Sequence, residues 1–114
     1  STAIVEDSMI TDGCDIKGTV KHSILYAGVT VEEGAVVEDA VVMGGSTIKT
    51  GAVVRHCILA ENVEVGENAV VGEHPEGGGI GDVAHVGPGL KIGANAVVSA
   101  TAKVYENVKE GEKC

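Results

Sequence analysis

The sequence has almost no aromatic side chains: among 114 residues there is no phenylalanine, no tryptophan and only two tyrosines. Aromatic residues dominate the buried area of many globular cores, so a conventional core would have little to fill it here. The chain also has only two prolines, against 17 glycines. These shortages favour an interior narrow enough to be filled by valine, isoleucine and alanine.

Cationic residues are scarce as well, with eight lysines and arginines against 17 acidic residues and a net charge of −9. Such a surface repels phosphates, which argues against partners that are nucleic acids or acidic membranes. No apolar run approaches the length of a transmembrane helix, and no signal peptide is visible. The three cysteines, Cys14, Cys57 and Cys114, have no regular spacing. They predict reduced thiols in a cytoplasmic protein, with Cys14 and Cys57 as small inward-facing residues.

One phrase occurs three times, and each copy begins 17 residues after the last: Val31–Val37, Ile48–Val54 and Val65–Val71. Within each copy an aliphatic residue recurs six positions on, with an alanine two positions before the second. This period fits neither an amphipathic helix nor a hairpin strand. It predicts short strands joined by tight corners, three to a coil of about 18 residues, with successive coils stacked about 4.8 Å apart.

The predicted fold is therefore all-β: a parallel β-helix domain over residues 1–114, with about five to six triangular coils. A second phrase begins at Asp7, His22, Asp39 and His56, at intervals of 15, 17 and 17 residues. We place the two missing residues at a tight corner over 16–20. Pro75 and the glycines at 77–79 interrupt the period, which predicts a protruding loop over 73–85. The polar segment Lys103–Cys114 is expected to fray or to cap the open end.

The repeat aligns charged residues in two outward columns, which alternate acid and base: Glu6, Lys21, Glu38, Arg55 and Asp7, His22, Asp39, His56. One interpretation is a ladder of surface ion pairs that helps to fix the register of the coils. The other is an anion-binding surface, with Lys21, Arg55, His22 and His56 as candidate effector contacts. The interleaved carboxylates weaken any positive field and favour the ladder.

Two enzymatic interpretations have weaker support. Histidines of adjacent coils can bind zinc, but His22 and His56 are separated by Asp39, so their rings should lie about 9–10 Å apart and cannot share one metal ion. Acyl transfer needs a base, for which His74 and His85 qualify only by their position beside the loop. No serine or cysteine lies in an activated context. We therefore predict no catalytic, cofactor-binding or metal-binding residue.

The coils resemble the C-terminal β-helix domain of the glucose-1-phosphate adenylyltransferase (ADP-glucose pyrophosphorylase) family, particularly the bacterial type that acts in glycogen synthesis. The phrase Gly13-Cys14-x-Ile16-x-Gly18 carries most of the resemblance. It is extended by the segments 6–20, 22–31 and 39–43. Three mild departures from the family pattern are Asp7 in place of asparagine, Tyr26 in place of phenylalanine and Ala40 in place of serine.

The resemblance implies a left-handed β-helix that packs on its own N-terminal catalytic domain, contributes to a homo-oligomer (a tetramer in the parent protein) and takes part in allosteric control. That catalytic domain joins ATP to glucose 1-phosphate with Mg²⁺, and none of its residues can be placed on this sequence. We therefore expect a module excised from a larger chain and inactive alone, whose parent is either the catalytic or a regulatory paralogue. The alternative is a stand-alone hexapeptide-repeat acyltransferase or a trimer resembling γ-carbonic anhydrases.

Overall fold

The computed structural model describes residues 3–73 and 83–114, and these residues form short strands and no helix. The strands are β1 Ile4–Glu6, β2 Met9–Ile10, β3 Asp15–Ile16, β4 Thr19–Lys21, β5 Ile24–Leu25, β6 Thr30–Val31, β7 Val36–Glu38, β8 Val41–Val42, β9 Thr47–Ile48, β10 Val53–Arg55, β11 Cys57–Leu59, β12 Glu64–Val65, β13 Val70–Glu73, β14 Ala84–Val86, β15 Lys91–Ile92, β16 Val97–Ser99 and β17 Lys103–Val104. None of the described residues forms a helix long and apolar enough to cross a bilayer.

The strands form three parallel sheets, and every third strand along the chain belongs to the same sheet. Sheet A has the order β1-β4-β7-β10-β13-β16, sheet B has β2-β5-β8-β11-β14-β17, and sheet C has β3-β6-β9-β12-β15. One strand from each sheet makes one coil, so the described residues form five complete coils and two strands of a sixth. The predicted left-handed parallel β-helix is confirmed.

The core is a narrow column of aliphatic side chains inside the three sheets. In the three repeated phrases, the second aliphatic residue and the alanine before it both point inward, and Val37, Val54, Val71 and their alanines have no exposed surface. Sheet B contributes Leu25, Val42 and Leu59 in the same way. Because each coil covers the next, this short chain buries a continuous core without aromatic residues.

The first coil is shorter than the others at the corner that the sequence indicates. Ile16 pairs with Val31, 15 positions further on, whereas Val20 pairs with Val37, 17 positions further on. The two positions are therefore missing between Ile16 and Val20. Here Gly18 lies so close to the backbone carbonyl oxygens of Glu32 and Ala35 that a Cβ atom would overlap them.

The loop predicted over 73–85 is shorter than the sequence indicates, because strand residues occupy both of its ends. Glu73 is the last residue of β13, and Ala84 and His85 belong to β14, where they pair with Cys57 and Ile58 of β11. Fifteen positions separate Val71 from Val86, where five separate Val54 from Leu59, so the extra chain is inserted here. The rest of the predicted loop, residues 74–82, lies outside the described residues. Val83 is described, and it precedes β14 with a partly exposed side chain.

The two ends of the β-helix differ. In the first coil the inward-facing Val5 and Ile10 remain 47% and 37% exposed, because no described residue covers them. At the other end Val104 and Val108 are only 6% exposed. Parallel bridges join Val108 to Ile92 and Lys113 to Val97, so the polar C-terminal segment continues the coils and covers the last layer of the core.

Candidate functional site

The first charged column lies on the outer face of sheet A, near the corner with sheet B. The register pairs Glu6 with Lys21, Lys21 with Glu38, and Glu38 with Arg55. The Lys21 ammonium lies 3.6 Å from the Glu6 carboxylate, and Arg55 Nε lies 3.5 Å from the Glu38 carboxylate. The alternation of acid and base predicted from the sequence is therefore confirmed as a set of ion pairs between coils.

The second column occupies the corner itself, directly after the first. Asp7, His22, Asp39 and His56 all have positive φ angles, between 45° and 48°, a conformation in which aspartate and histidine are enriched among non-glycine residues. His22 Nε2 lies 3.9 Å from the Asp7 carboxylate, and His56 Nε2 lies 3.6 Å from the Asp39 carboxylate. In all four pairs the base comes from the coil that follows its acid.

The ion pairs of the ladder join neighbouring coils, so their first role is structural. The four candidate anion contacts, Lys21, Arg55, His22 and His56, do lie at one edge of the β-helix, as the sequence predicts. Each has a carboxylate of the preceding coil within 4.0 Å. An anion would have to displace those carboxylates, so the surface offers little unopposed positive charge. The anion-contact role stays a prediction.

Reversing the charge of Arg55 tests the ladder. In Arg55→Glu a new carboxylate lies beside Glu38, so we expect a lower melting temperature at low salt. Because Arg55 is half exposed and screened by solvent, the loss should be at most about 1 kcal/mol. It should largely disappear at about 1 M salt, where the Debye length is about 3 Å. Arg55→Gln is the control that removes the ion pair without adding repulsion. An unchanged melting temperature for Arg55→Glu at low salt would contradict the ladder.

The described histidines considered for catalysis are not gathered into a metal site. No group of three or more histidine, cysteine, aspartate or glutamate side chains that could hold a metal ion exists within residues 3–73 and 83–114. His85, considered as a base beside a loop, instead lies within β14, where it pairs with Ile58 and Lys103. That interpretation of His85 is corrected, since a strand holds it on the outer face of sheet B. His74 lies outside the described residues.

Cys57, Cys14 and Ser23 have structural roles. Burial raises the pKa of the Cys57 thiol to about 12, which keeps it protonated and unreactive at neutral pH. The Cys14 thiol donates a hydrogen bond of 3.1 Å to the carbonyl oxygen of Tyr26. The buried Ser23 hydroxyl donates to the Lys21 carbonyl oxygen and accepts from the Ala40 amide, which joins neighbouring coils. All three cysteines are free, as predicted.

One surface is not predicted from the sequence: the outer face of sheet B. Its outward positions in the first four coils are paired in the order Met9, Ile24, Val41, Ile58. The next outward positions of coils two to four are Tyr26, Met43 and Ala60. We call these seven residues the apolar face. Beside it lies a depression of about 410 Å³ lined by Tyr26, Ala27, Met43, Gly44 and Glu61.

The fold and these columns define a hexapeptide-repeat β-helix, and the comparisons with known proteins agree. The model of the family described as "GlmU-like, C-terminal hexapeptide" matches residues 1–78. The chain belongs to this family.

The curated relatives share only a short segment with the chain. A glucose-1-phosphate adenylyltransferase of Bacillus thuringiensis (strain Al Hakam) is 62% identical over 34 residues, which is 30% of this chain and 9% of that protein. The enzyme of the same name from Bacillus anthracis matches to the same extent. The resemblance to this family is confirmed, over a segment that spans less than a tenth of the relatives' length.

Among solved structures, the acetyltransferase domain of PglB from Neisseria gonorrhoeae FA1090 has a similar fold. It superposes with a TM-score of 0.72 at 19% identity, over 97% of this chain and 50% of that one. At this identity the likeness shows the fold alone.

Proposed function

We propose that this chain is the structural and regulatory β-helix domain of a glucose-1-phosphate adenylyltransferase of glycogen biosynthesis. The observation that carries the proposal is the 62% identity over 34 residues to the Bacillus enzymes. Many transferases share generic hexapeptide repeats, but the Gly13-Cys14-x-Ile16-x-Gly18 phrase is more specific. In the structure this phrase contains β3, the first strand of sheet C, and Gly18 of the short corner, so those residues serve the packing of coils.

In this proposal the chemistry belongs to an N-terminal catalytic domain of the same cytoplasmic protein. ATP, Mg²⁺ and glucose 1-phosphate bind that domain, which releases pyrophosphate and ADP-glucose. The β-helix domain supports the catalytic domain, takes part in a homo-oligomer and carries part of the regulation. Two observations agree with a non-catalytic role. The described residues hold no cluster of metal ligands, and the buried Cys57 thiol has its pKa raised to about 12.

The regulatory part of the proposal assigns the two charged columns to an anionic effector. His22 and Arg55 are half exposed or more, and Lys21 and His56 are 41% and 38% exposed, so a ligand with several negative charges can reach them. The four basic residues of the ladder then exchange their carboxylate partners for the ligand. This exchange would release Glu6 and Glu38 from their ion pairs and change how neighbouring coils present their outer surface.

A domain exchange tests the proposal. The Bacillus thuringiensis enzyme is truncated before its own C-terminal region, and this chain is joined in its place. We expect the chimera to release pyrophosphate from ATP and glucose 1-phosphate at least about tenfold faster than the truncated enzyme, a difference of about 1.4 kcal/mol in the barrier. The control joins the β-helix of the PglB acetyltransferase domain at the same position. Equal rates for the two chimeras, or pyrophosphate release by this chain alone, would contradict the proposal.

The stand-alone acyltransferase and the γ-carbonic-anhydrase-like trimer receive no specific support. His85 is held in a strand with Ile58 and Lys103 as its neighbours, and the described residues contain no group of three or more side chains that could hold a metal ion. We therefore propose no catalytic residue in this chain.

A further inference from the structure

The three sheets of the β-helix present different outer faces, although all three direct aliphatic side chains inward. On sheet C the outward column is Asp15, Thr30, Thr47, Glu64 and Lys91. Sheet A combines aliphatic residues with the charged column described above. The apolar face on sheet B has no charged side chain on coils one to four. Met9 is 70% exposed and Tyr26 is 49% exposed.

An apolar outer column is not required by the fold, because sheet C is polar at the equivalent positions. Leaving apolar surface in water is unfavourable by about 25 cal/mol per Å², and contiguous apolar patches usually mark sites of association. The apolar face and the adjoining depression beside Tyr26 and Met43 therefore form one continuous surface suited to contact with another protein surface.

We propose that the apolar face binds a second copy of this chain, face to face, with the order of the coils reversed. The charges at the two ends of the column support this arrangement. The column that begins at Met9 ends in His85 and Lys103, whereas Asp7 and Asp12 flank Met9. A twofold axis parallel to the strands brings Lys103 of each copy opposite the acidic end of the other.

Full overlap of the two columns sets the register of the pair. With the axis between the third and fourth coils, Val41 of one copy faces Ile58 of the other, and Ile24 faces His85. Residues on both copies then contact each other reciprocally, as an isologous interface requires. A face-to-face pair with the coils in the same order would instead place Lys103 against Lys103.

The size of the face predicts a weak association. In full overlap the contact covers all six strands of sheet B, two more than the apolar face itself. With strands about 4.8 Å apart and about 20 Å of chain across them, this gives on the order of 500 Å² per copy, which fits within the 31 × 26 × 22 Å extents of the molecule. A typical stable interface buries about 800 Å² per partner. We therefore expect a dimer that forms at high micromolar concentration and dissociates on dilution.

This inference deepens the oligomeric part of the proposed function. It concerns the chain by itself, without substrates, so its failure leaves the result of the domain exchange unaffected, and a failed domain exchange leaves the dimer unaffected.

Sedimentation equilibrium of the chain over a concentration series tests the inference. Val41→Asp introduces a carboxylate at the centre of the face and should weaken association by about tenfold or more. The matched control, Thr47→Asp, introduces the same charge at an outward position of sheet C in the same coil and should leave association unchanged. Circular dichroism verifies that both variants retain the fold. A wild-type chain that is monomeric throughout the series, or equal association of the two variants, would overturn the proposal.

A charge exchange tests the reversed order of the coils and does not depend on the Val41 variant. Lys103→Glu should weaken the dimer, and adding Asp12→Lys to it should restore the affinity, because the pair of charges is then reversed. If the double variant associates no more tightly than Lys103→Glu alone, the reversed arrangement is wrong.

Discussion

Gly66→Ala is expected to destabilise the chain by about 3 kcal/mol or more, at the upper end of the usual cost of overpacking. A Cβ atom at Gly66 would lie 2.6 Å from the Ala94 nitrogen and 2.8 Å from both the Gly93 carbonyl carbon and the Ile92 oxygen. All three are backbone atoms, so no side-chain rotation can relieve the overlap. The coils are also close together here, since the Gly66 amide donates a hydrogen bond of 2.7 Å to Ile92. The fourth and fifth coils would have to separate.

The midpoint of denaturant unfolding measures this loss. Gly87→Ala is the matched control: like Gly66, Gly87 is absent from the residues with positive φ, and a Cβ atom there would lie 3.3 Å from its nearest neighbour, the Val104 carbonyl oxygen. Any general effect of replacing glycine by alanine is therefore shared, and only the overlap differs. If the two variants unfold at the same midpoint, the close approach of the coils at Gly66 is wrong.

Leu59→Ala is expected to cost about 2–5 kcal/mol, the usual range for removing a large aliphatic side chain from a packed core. Leu59 has no exposed surface and pairs with Val42 on one side and Val86 on the other. Each layer of the core contains few side chains, and rigid strands hold the layers apart. The cavity therefore has few neighbours that can move to fill it.

Ile58→Ala is the control, because Ile58 is the adjacent residue and points to the outer face of sheet B. It should cost clearly less than Leu59→Ala, measured for both as the free energy of unfolding in urea at low protein concentration. A reversed order, with Ile58→Ala the more damaging, would mean that the inward and outward positions of β11 are exchanged.

The period of the sequence was sufficient to predict most of the fold, because the same physical requirement recurs in every coil. Val37, Val54 and Val71 each need an inward position, and the alanine before each needs the narrow corner. The 15-residue interval before His22 likewise located the short corner between Ile16 and Val20. The pairing of Glu38 with Arg55 followed from the same alignment, since residues at equivalent positions of neighbouring coils must be adjacent.

The remaining features depend on information that a six-residue period does not contain. The sequence places His85 in the loop because the glycines before it hide the period, and its pairing with Ile58 shows that the strand has already resumed. The apolar face was missed although its signal is present: Met9-Ile10, Ile24-Leu25 and Val41-Val42 each place two aliphatic residues in succession. In a strand, one of each pair must point outward. The six-residue period accounts for the inward residue of each pair but not for the outward one.

The 17-residue offset that separates the second, third and fourth coils has an evolutionary consequence. Val20, Val37 and Val54 occupy the same place in successive coils at steps of 17 residues, and each coil touches only the one before and the one after. A tandem duplication of one such segment in the gene would lengthen the β-helix by one coil and leave every other layer in its original surroundings. Proteins that descend from such a chain can therefore differ in the number of coils while keeping the same cross-section.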